Sequence, residues 1–238
     1  MRAGRRALHA SIAGMKIAIH HAPDADARGL RDRRLPLALA LLAGICFAAS
    51  VLAFGVALDG YSQRAYPVSV LGARGVAHAM GFNLIGFVVP GALVAAAALR
   101  LARHLSTARP LTRIGGWIVL FSALAFALLG VFPLQLDDID VASGRVHAAL
   151  WSLWWLTTAT GGVLLAAGAR GADLRWRIVG AVLAVLVPWC CLSAPAQWGF
   201  ALSERVAFAL WFAWWLLAAL AISRNAASAA GSSRPAPA

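Results

Sequence analysis

The stretch LPLALALLAGICFAASVLAFGVAL, residues 35–58, decides the fold. It contains no charged side chain in 24 residues, and about 20 largely apolar residues are enough for a helix to cross a bilayer. Apolar and polar residues do not alternate along it, which argues against a strand of a membrane barrel, and an isolated strand cannot satisfy its backbone in lipid. We therefore predict a membrane-spanning helix.

Five further stretches have the same character. The fifth span is the shortest and contains Pro188, which predicts a kink or a tilt because proline removes a backbone donor inside the helix. The expected fold class is all-α, a polytopic bundle of six transmembrane helices over residues 35–223. The predicted spans are 35–58, 76–99, 114–132, 146–169, 178–193 and 206–223.

The composition agrees with this interpretation. Hydrophobic residues make up 61% of the 238 residues and charged residues 13%, whereas soluble domains average about 25% charged residues. Polar groups cannot cover so much apolar surface in water, so the excess must face lipid. The three cysteines lie inside apolar runs and are interpreted as small buried hydrophobic residues.

The basic residues lie almost entirely on one side of the predicted spans. Of the 21 Lys and Arg residues, 17 fall in the N-terminal arm, the second and fourth loops and the C-terminal tail. Because cytoplasmic loops are enriched in Lys and Arg, this distribution predicts that both termini are cytoplasmic. The net charge of +12 is therefore interpreted as a topology signal and as attraction to anionic lipids at the cytoplasmic face, not as nucleic-acid binding.

Two flanking segments contain no span. Residues 1–34 form a basic arm that we predict to be disordered or to form a helix on the membrane surface. His20 and His21 interrupt its apolar stretch, which argues against a signal peptide, and Met15 is an alternative start. Residues 224–238 are small, polar and proline-containing, which predicts a disordered tail.

Polar side chains at membrane depth are costly and often functional. Most of them lie in the first, third and fifth loops or at the adjoining helix ends, on the predicted extracytoplasmic side. Asn83 is expected to face the bundle interior, and His78, about 140° away around the same helix, to face elsewhere. We predict an outward-facing polar pocket lined by Ser69, Asn83, His147, Glu204 and Arg205.

Such a pocket would bind or move a small molecule or lipid, and three alternatives stay open. In an intramembrane enzyme, His147 would act as general base for Ser69 or a water, with Glu204 orienting it. In a haem-binding electron carrier, His78 and His147 are the candidate ligands. In an accessory scaffold there would be no site at all. No cofactor or metal site is predicted, since the sequence has no phosphate-binding glycine loop, HExxH or CxxC.

Several short motifs occur in a recognisable order. Ser69, Leu71 and Gly72 precede the second span, the pair Phe82–Asn83 lies in it, Phe132–Pro133 ends the third, His147 opens the fourth, and Glu204–Arg205 precedes the sixth. In these motifs residues 36–223 resemble a bacterial and archaeal membrane family called domain of unknown function 998. The family has an acidic residue directly after its Phe–Pro, whereas here Leu134 and Gln135 follow and the acids come at Asp137 and Asp138.

The resemblance implies a six-helix bundle in a bacterial cytoplasmic (inner) membrane. It supplies no activity, cofactor or partner beyond the bilayer. It does select Ser69, Asn83, His147, Glu204 and Arg205. These are the same polar residues that were selected for their position at membrane depth.

Overall fold

A computed structural model describes residues 34–136, 142–169, 173–193 and 196–232, with side chains described as far as Ala221. The part of the chain it describes is helical, with no strand, and six of its helices are long and apolar enough to cross a membrane. We number them α1 to α6. They are α1 Arg34–Ala57, α2 Ala79–His104, α3 Pro110–Val131, α4 Ala142–Gly168, α5 Leu174–Leu192 and α6 Gly199–Ser232.

The prediction of six membrane-spanning helices is confirmed, while several boundaries differ. α3 begins four residues before its predicted span because Pro110 occupies the first turn, where its missing N–H costs nothing. α5 begins at Leu174 because Asp173 caps it by accepting the backbone N–H of Arg175. α6 continues to Ser232, past the predicted end at 223, through an alanine-rich segment of high helix propensity. The basic arm of residues 1–33 and the acids Asp137, Asp138 and Asp140 lie outside the described residues.

The first half of α2 departs from regular α-helical geometry. His78 precedes the helix in the left-handed conformation, with φ of 61°, and Asn83–Val88 form a π-helical segment. Pro90 lies two residues after the end of this segment and cannot donate a hydrogen bond to the carbonyl of Gly86. Inserted π turns are one of the ways in which a helix accommodates such an interruption.

Glycines set the separation of several helices. A Cβ on Gly91 of α2 would lie 2.6 Å from the backbone nitrogen of Ala127 in α3. In the same way, a Cβ on Gly161 of α4 would lie 2.9 Å from the backbone nitrogen of Val119 in α3. These helices therefore pack backbone against backbone, which is how small residues act in membrane bundles, where van der Waals contact replaces the hydrophobic effect.

The centre of the bundle is an aromatic cluster. Phe126 of α3 stacks on Trp211 of α6 with ring centroids 4.6 Å apart and meets Phe208 edge to face at 5.5 Å. Phe47 of α1 lies 5.0 Å from Phe208, and Trp154 of α4 lies 4.9 Å from it. Edge-to-face and offset contacts of this kind add about 0.5–1.5 kcal/mol per pair to the burial of the rings. The cluster therefore ties α1, α3, α4 and α6 together.

Successive helices run in opposite directions, so the bundle has two distinct ends. The polar end carries the α1–α2, α3–α4 and α5–α6 connections, and the basic end carries the α2–α3 and α4–α5 connections with the C-terminal part of α6. Every predicted site residue lies at the polar end.

Candidate functional site

The polar end is covered by the first loop, residues 58–78, which contains a short 3-10 helix, Val68–Gly72. Val68, Leu71 and Gly72 of this turn are buried, so the loop packs into the end of the bundle. A buried loop must satisfy its backbone groups through other elements, and α2 and α6 supply the partners.

Glu204, in the second turn of α6, holds the beginning of the 3-10 turn. Its side chain is only 2% exposed, and Oε2 accepts the backbone N–H of Val68 at 2.5 Å. The amide and hydroxyl of Ser69 lie beside the same carboxylate. Because Val68 and Ser69 are the first residues of the turn, their N–H groups have no partner within it. The carboxylate therefore acts as an acceptor for orphan backbone donors.

Arg205, the next residue, turns toward the outer part of the same loop. Its guanidinium donates to Gln63 Oε1 at 2.7 Å, to the Tyr61 hydroxyl at 2.7 Å and to the Tyr66 carbonyl at 3.0 Å. It also donates to the carbonyl of Ala201 in its own helix at 2.8 Å. Burial raises the pKa of the Tyr61 phenol above its usual range, an effect that Arg205 partly offsets. Arg205 is thus a multidentate anchor for the loop.

Asn83 holds the other end of the 3-10 turn. It is 8% exposed, and its Nδ2 donates to the Gly72 carbonyl at 2.8 Å. Any larger residue in place of Gly72 would force a shift of the backbone or of Asn83, because a Cβ there would overlap the Asn83 side chain. Asn83 also starts the π-helical segment of α2. The Phe–Asn motif and the Ser–x–Leu–Gly motif of the sequence therefore meet in a single hydrogen bond.

His147, near the start of α4, pairs with the third connection instead. It is 7% exposed, and Nδ1 lies 2.7 Å from the Phe132 carbonyl at the end of α3. A carbonyl oxygen only accepts, so Nδ1 carries the proton in this contact. Within the described residues, no hydrogen bond joins His147 to Ser69 or to Glu204. His78 is exposed at the start of α2, whereas His147 is buried, so the two rings lie in different environments.

Taken together, these contacts form a polar-end network of three pairs: Glu204 with Val68–Ser69, Asn83 with Gly72, and His147 with Phe132. All five predicted site residues lie at this end. Glu204, Ser69 and Arg205 act on one loop, Asn83 on the same turn, and His147 on the α3–α4 connection. The described residues contain no group of three or more His, Cys, Asp and Glu side chains that could hold a metal ion. The network joins the first loop to α2 and α6, and the end of α3 to α4.

A cavity of about 180 Å³ lies at the opposite, basic end. Sequence reasoning missed it, because its walls are ordinary apolar residues of five stretches that are far apart in the chain. Its polar members are His104, Thr112, Trp176 and Arg177. The remaining walls are Leu101, Leu105, Gly162, Leu165, Ala166, Ala169, Gly180, Trp214, Leu217, Ala218 and Ala221.

Small residues create this cavity. Along α4 the wall runs from Gly162 to Ala169, a length of about 10 Å at 1.5 Å per residue. Gly162 lies close enough to α5 that a Cβ would meet the Cβ of Ala184 at 2.5 Å, so the inner limit of the cavity is tightly packed. Trp214 forms part of the opposite wall and is fixed by donating its indole N–H to the Gly180 carbonyl at 3.0 Å.

Fold and site together define a multi-pass integral membrane protein with a hydrogen-bonded polar end and an apolar cavity near its basic end. The family model described as "Protein of unknown function (DUF998)" matches residues 41–221, and the chain belongs to that family. No curated protein and no solved structure was found to be similar.

Proposed function

We propose that this protein binds, within the membrane, a small amphiphilic molecule or lipid whose apolar part occupies the basic-end cavity. The observation that carries the proposal is the cavity itself, which is walled mainly by apolar side chains and lies at the end of the bundle opposite the hydrogen-bonded polar end. Ligand pockets have this composition, apolar walls with a few polar groups that fix orientation.

The orientation of the bundle is part of the same proposal. With the positive-inside distribution, the basic end faces the cytoplasm of a bacterial inner membrane, and the cavity is reached from that side. His104 lines the cavity and is exposed, which supports an opening at that end. A ligand moved across the membrane would need the polar-end network to open, whereas a ligand that is only bound would not.

Filling the cavity tests the proposal. Ala166 lines the cavity, whereas Ala167, the next residue of α4, is exposed and does not line it. We expect Ala166→Leu to lower the amount of co-purifying lipid or small molecule by about tenfold, since displacing two buried methylenes costs about 1.6 kcal/mol. The measurement is mass spectrometry of molecules that remain with the detergent-purified protein.

Ala167→Leu is the matched control, because it adds the same side chain outside the cavity. It should retain the wild-type amount of bound molecule. Equal retention by Ala166→Leu and wild type, or a wild-type preparation without any bound molecule, would contradict the proposed function.

The second candidate is the outward-facing pocket predicted from the sequence, lined by Ser69, Asn83, His147, Glu204 and Arg205. It is favoured by the burial of the Glu204 side chain within a membrane span, a placement that commonly marks substrate or ion pathways. The first loop would have to leave Glu204 before a ligand reached it. A ligand that donates hydrogen bonds would then replace the N–H groups of Val68 and Ser69.

Glu204→Gln separates this candidate from the first. Glutamine keeps an acceptor for the Val68 amide but lacks the full charge of an ionised carboxylate. A polar-end ligand, identified by mass spectrometry, should therefore be lost from Glu204→Gln and retained by Ala166→Leu. The reverse pattern would assign the ligand to the cavity and rule out the polar-end pocket as its site.

A further inference from the structure

We infer that the ligand of the basic-end cavity is an anionic phospholipid, with one acyl chain in the cavity and its phosphate beside Arg177 and His104. This inference rests on the proposed function and adds the charge of the headgroup. The charge of the headgroup is inferred from the distribution of charge around the cavity. The apolar lining alone would not require a charged headgroup.

The basic side chains at the cavity lie at helix ends next to the two connections of this end. His104 ends α2 and is exposed, and Arg177 lies in the first turn of α5 and is half-buried. Among the described lining residues there is no acidic side chain. Asp173 is the one acidic residue that the structure describes at this end, and it caps α5 through the amide of Arg175. An anion at the cavity would thus meet positive charge with little competing negative charge.

Arg177 is held in place before any ligand arrives. Its Nε donates to the Ala166 carbonyl at 2.7 Å, and Nη2 lies 3.4 Å from the Ala167 carbonyl. These bonds satisfy carbonyls in the last turn of α4 and leave the guanidinium with further N–H donors, since the group has five. A planar guanidinium fixed at the edge of a cavity is well suited to a phosphate, which it can bind through two parallel hydrogen bonds.

The N-terminus of α3 adds to the same preference. Thr112 lines the cavity, is 4% exposed and lies in the first turn of this helix. The first amides of a helix lack intrahelical partners and carry partial positive charge. Together with Arg177, they place positive charge beside an acyl-chain-sized space about 10 Å long, and the ring of His104 borders the same space.

The test is native mass spectrometry of delipidated full-length protein titrated with one lipid at a time. The probes are a phosphatidylglycerol, a phosphatidylcholine with the same acyl chains, and the free fatty acid of that chain. We expect the first phosphatidylglycerol to bind about fivefold or more tightly than phosphatidylcholine, since a basic residue near the membrane surface contributes about 1 kcal/mol toward anionic lipid. Arg177→Gln should reduce this preference to within about twofold.

Arg109→Gln is the charge control, because Arg109 is an exposed arginine at the same end that does not line the cavity. It should keep the preference for phosphatidylglycerol, and His104→Gln provides a second cavity variant should Arg177→Gln fail to fold. An equal loss in Arg109→Gln would overturn the inference, because the preference would then come from general surface charge.

The remaining outcomes separate the inference from the function on which it rests. Equal binding of both phospholipids, abolished by Ala166→Leu, would leave the cavity as a lipid site and overturn the anionic preference. Tighter binding of the fatty acid than of phosphatidylglycerol would overturn the phospholipid as the source of the anion. Absence of binding by every probe would overturn the anionic phospholipid as the ligand, while the co-purification experiment with Ala166→Leu and Ala167→Leu tests the proposed function separately.

Discussion

Glu204→Ala is expected to lower the stability of the protein by about 3 kcal/mol, because it leaves buried backbone donors without an acceptor. The carboxylate is 2% exposed and accepts the amide of Val68, with Ser69 beside it. An unsatisfied amide in the low-dielectric interior retains its desolvation cost. In a thermal unfolding experiment in detergent, this loss corresponds to a decrease in Tm of roughly 10 °C.

Glu204→Gln keeps an acceptor oxygen in the same place and should lose less than half as much. Limited trypsin digestion gives a local measurement. Arg74 lies in the first loop and its backbone N–H donates to the Leu134 carbonyl at 2.9 Å, so release of the loop should speed cleavage there in Glu204→Ala only. A Tm of Glu204→Ala within about 1 °C of wild type would show that the network does not hold the polar end.

The fold was accessible from the sequence because a span is a local property. Length and absence of charge identified all six helices, including α5 with its internal Pro188. Boundaries were less accessible, since they depend on capping by single residues such as Asp173 and on helix continuation into a polar tail. The π-helical segment before Pro90 was not predicted, because the sequence shows which backbone donor is missing and not how the helix accommodates its loss.

For the candidate site, too, one part could be predicted from the sequence and another could not. Depth and motif order selected the side chains that the structure places in the polar-end network. Their partners could not be read from the sequence, since Glu204, Asn83 and His147 all bond backbone atoms. Backbone partners depend on where a turn such as Val68–Gly72 lies in space. The alternative in which Glu204 orients His147 considered side chains only, and the structure gives each of them a backbone partner.

The basic-end cavity shows a second limit of sequence reasoning. Its walls come from α2, α3, α4, α5 and α6, and its apolar wall residues do not differ in the sequence from the apolar residues around them. A cavity is defined by the atoms that are missing between helices, and single positions carry no signal of it. Arg177 was counted only as part of the charge bias that orients the bundle, and His104 was not considered, although both border the cavity.

Gly161→Ala is expected to destabilise the bundle by about 3 kcal/mol, because it inserts a methyl group where α3 and α4 touch through their backbones. The added Cβ would lie 2.9 Å from the Val119 nitrogen and 2.7 Å from its Cγ1. Gly115, on the facing side of α3, closes the same contact, since a Cβ there would lie 2.9 Å from the Gly161 carbonyl. The backbone cannot move aside as a flexible side chain would, so the helices must separate.

Gly44→Ala makes the same chemical change where there is room for it. A Cβ on Gly44 of α1 would have its nearest neighbour, the ring of Phe212, at 3.7 Å. Alanine also favours the helix over glycine by about 1 kcal/mol, so Gly44→Ala should unfold at the wild-type temperature or slightly above. Thermal unfolding of the two variants side by side separates packing from propensity, because the propensity gain is common to both. Equal Tm values for Gly161→Ala and Gly44→Ala would mean that α3 and α4 are not held together by this contact.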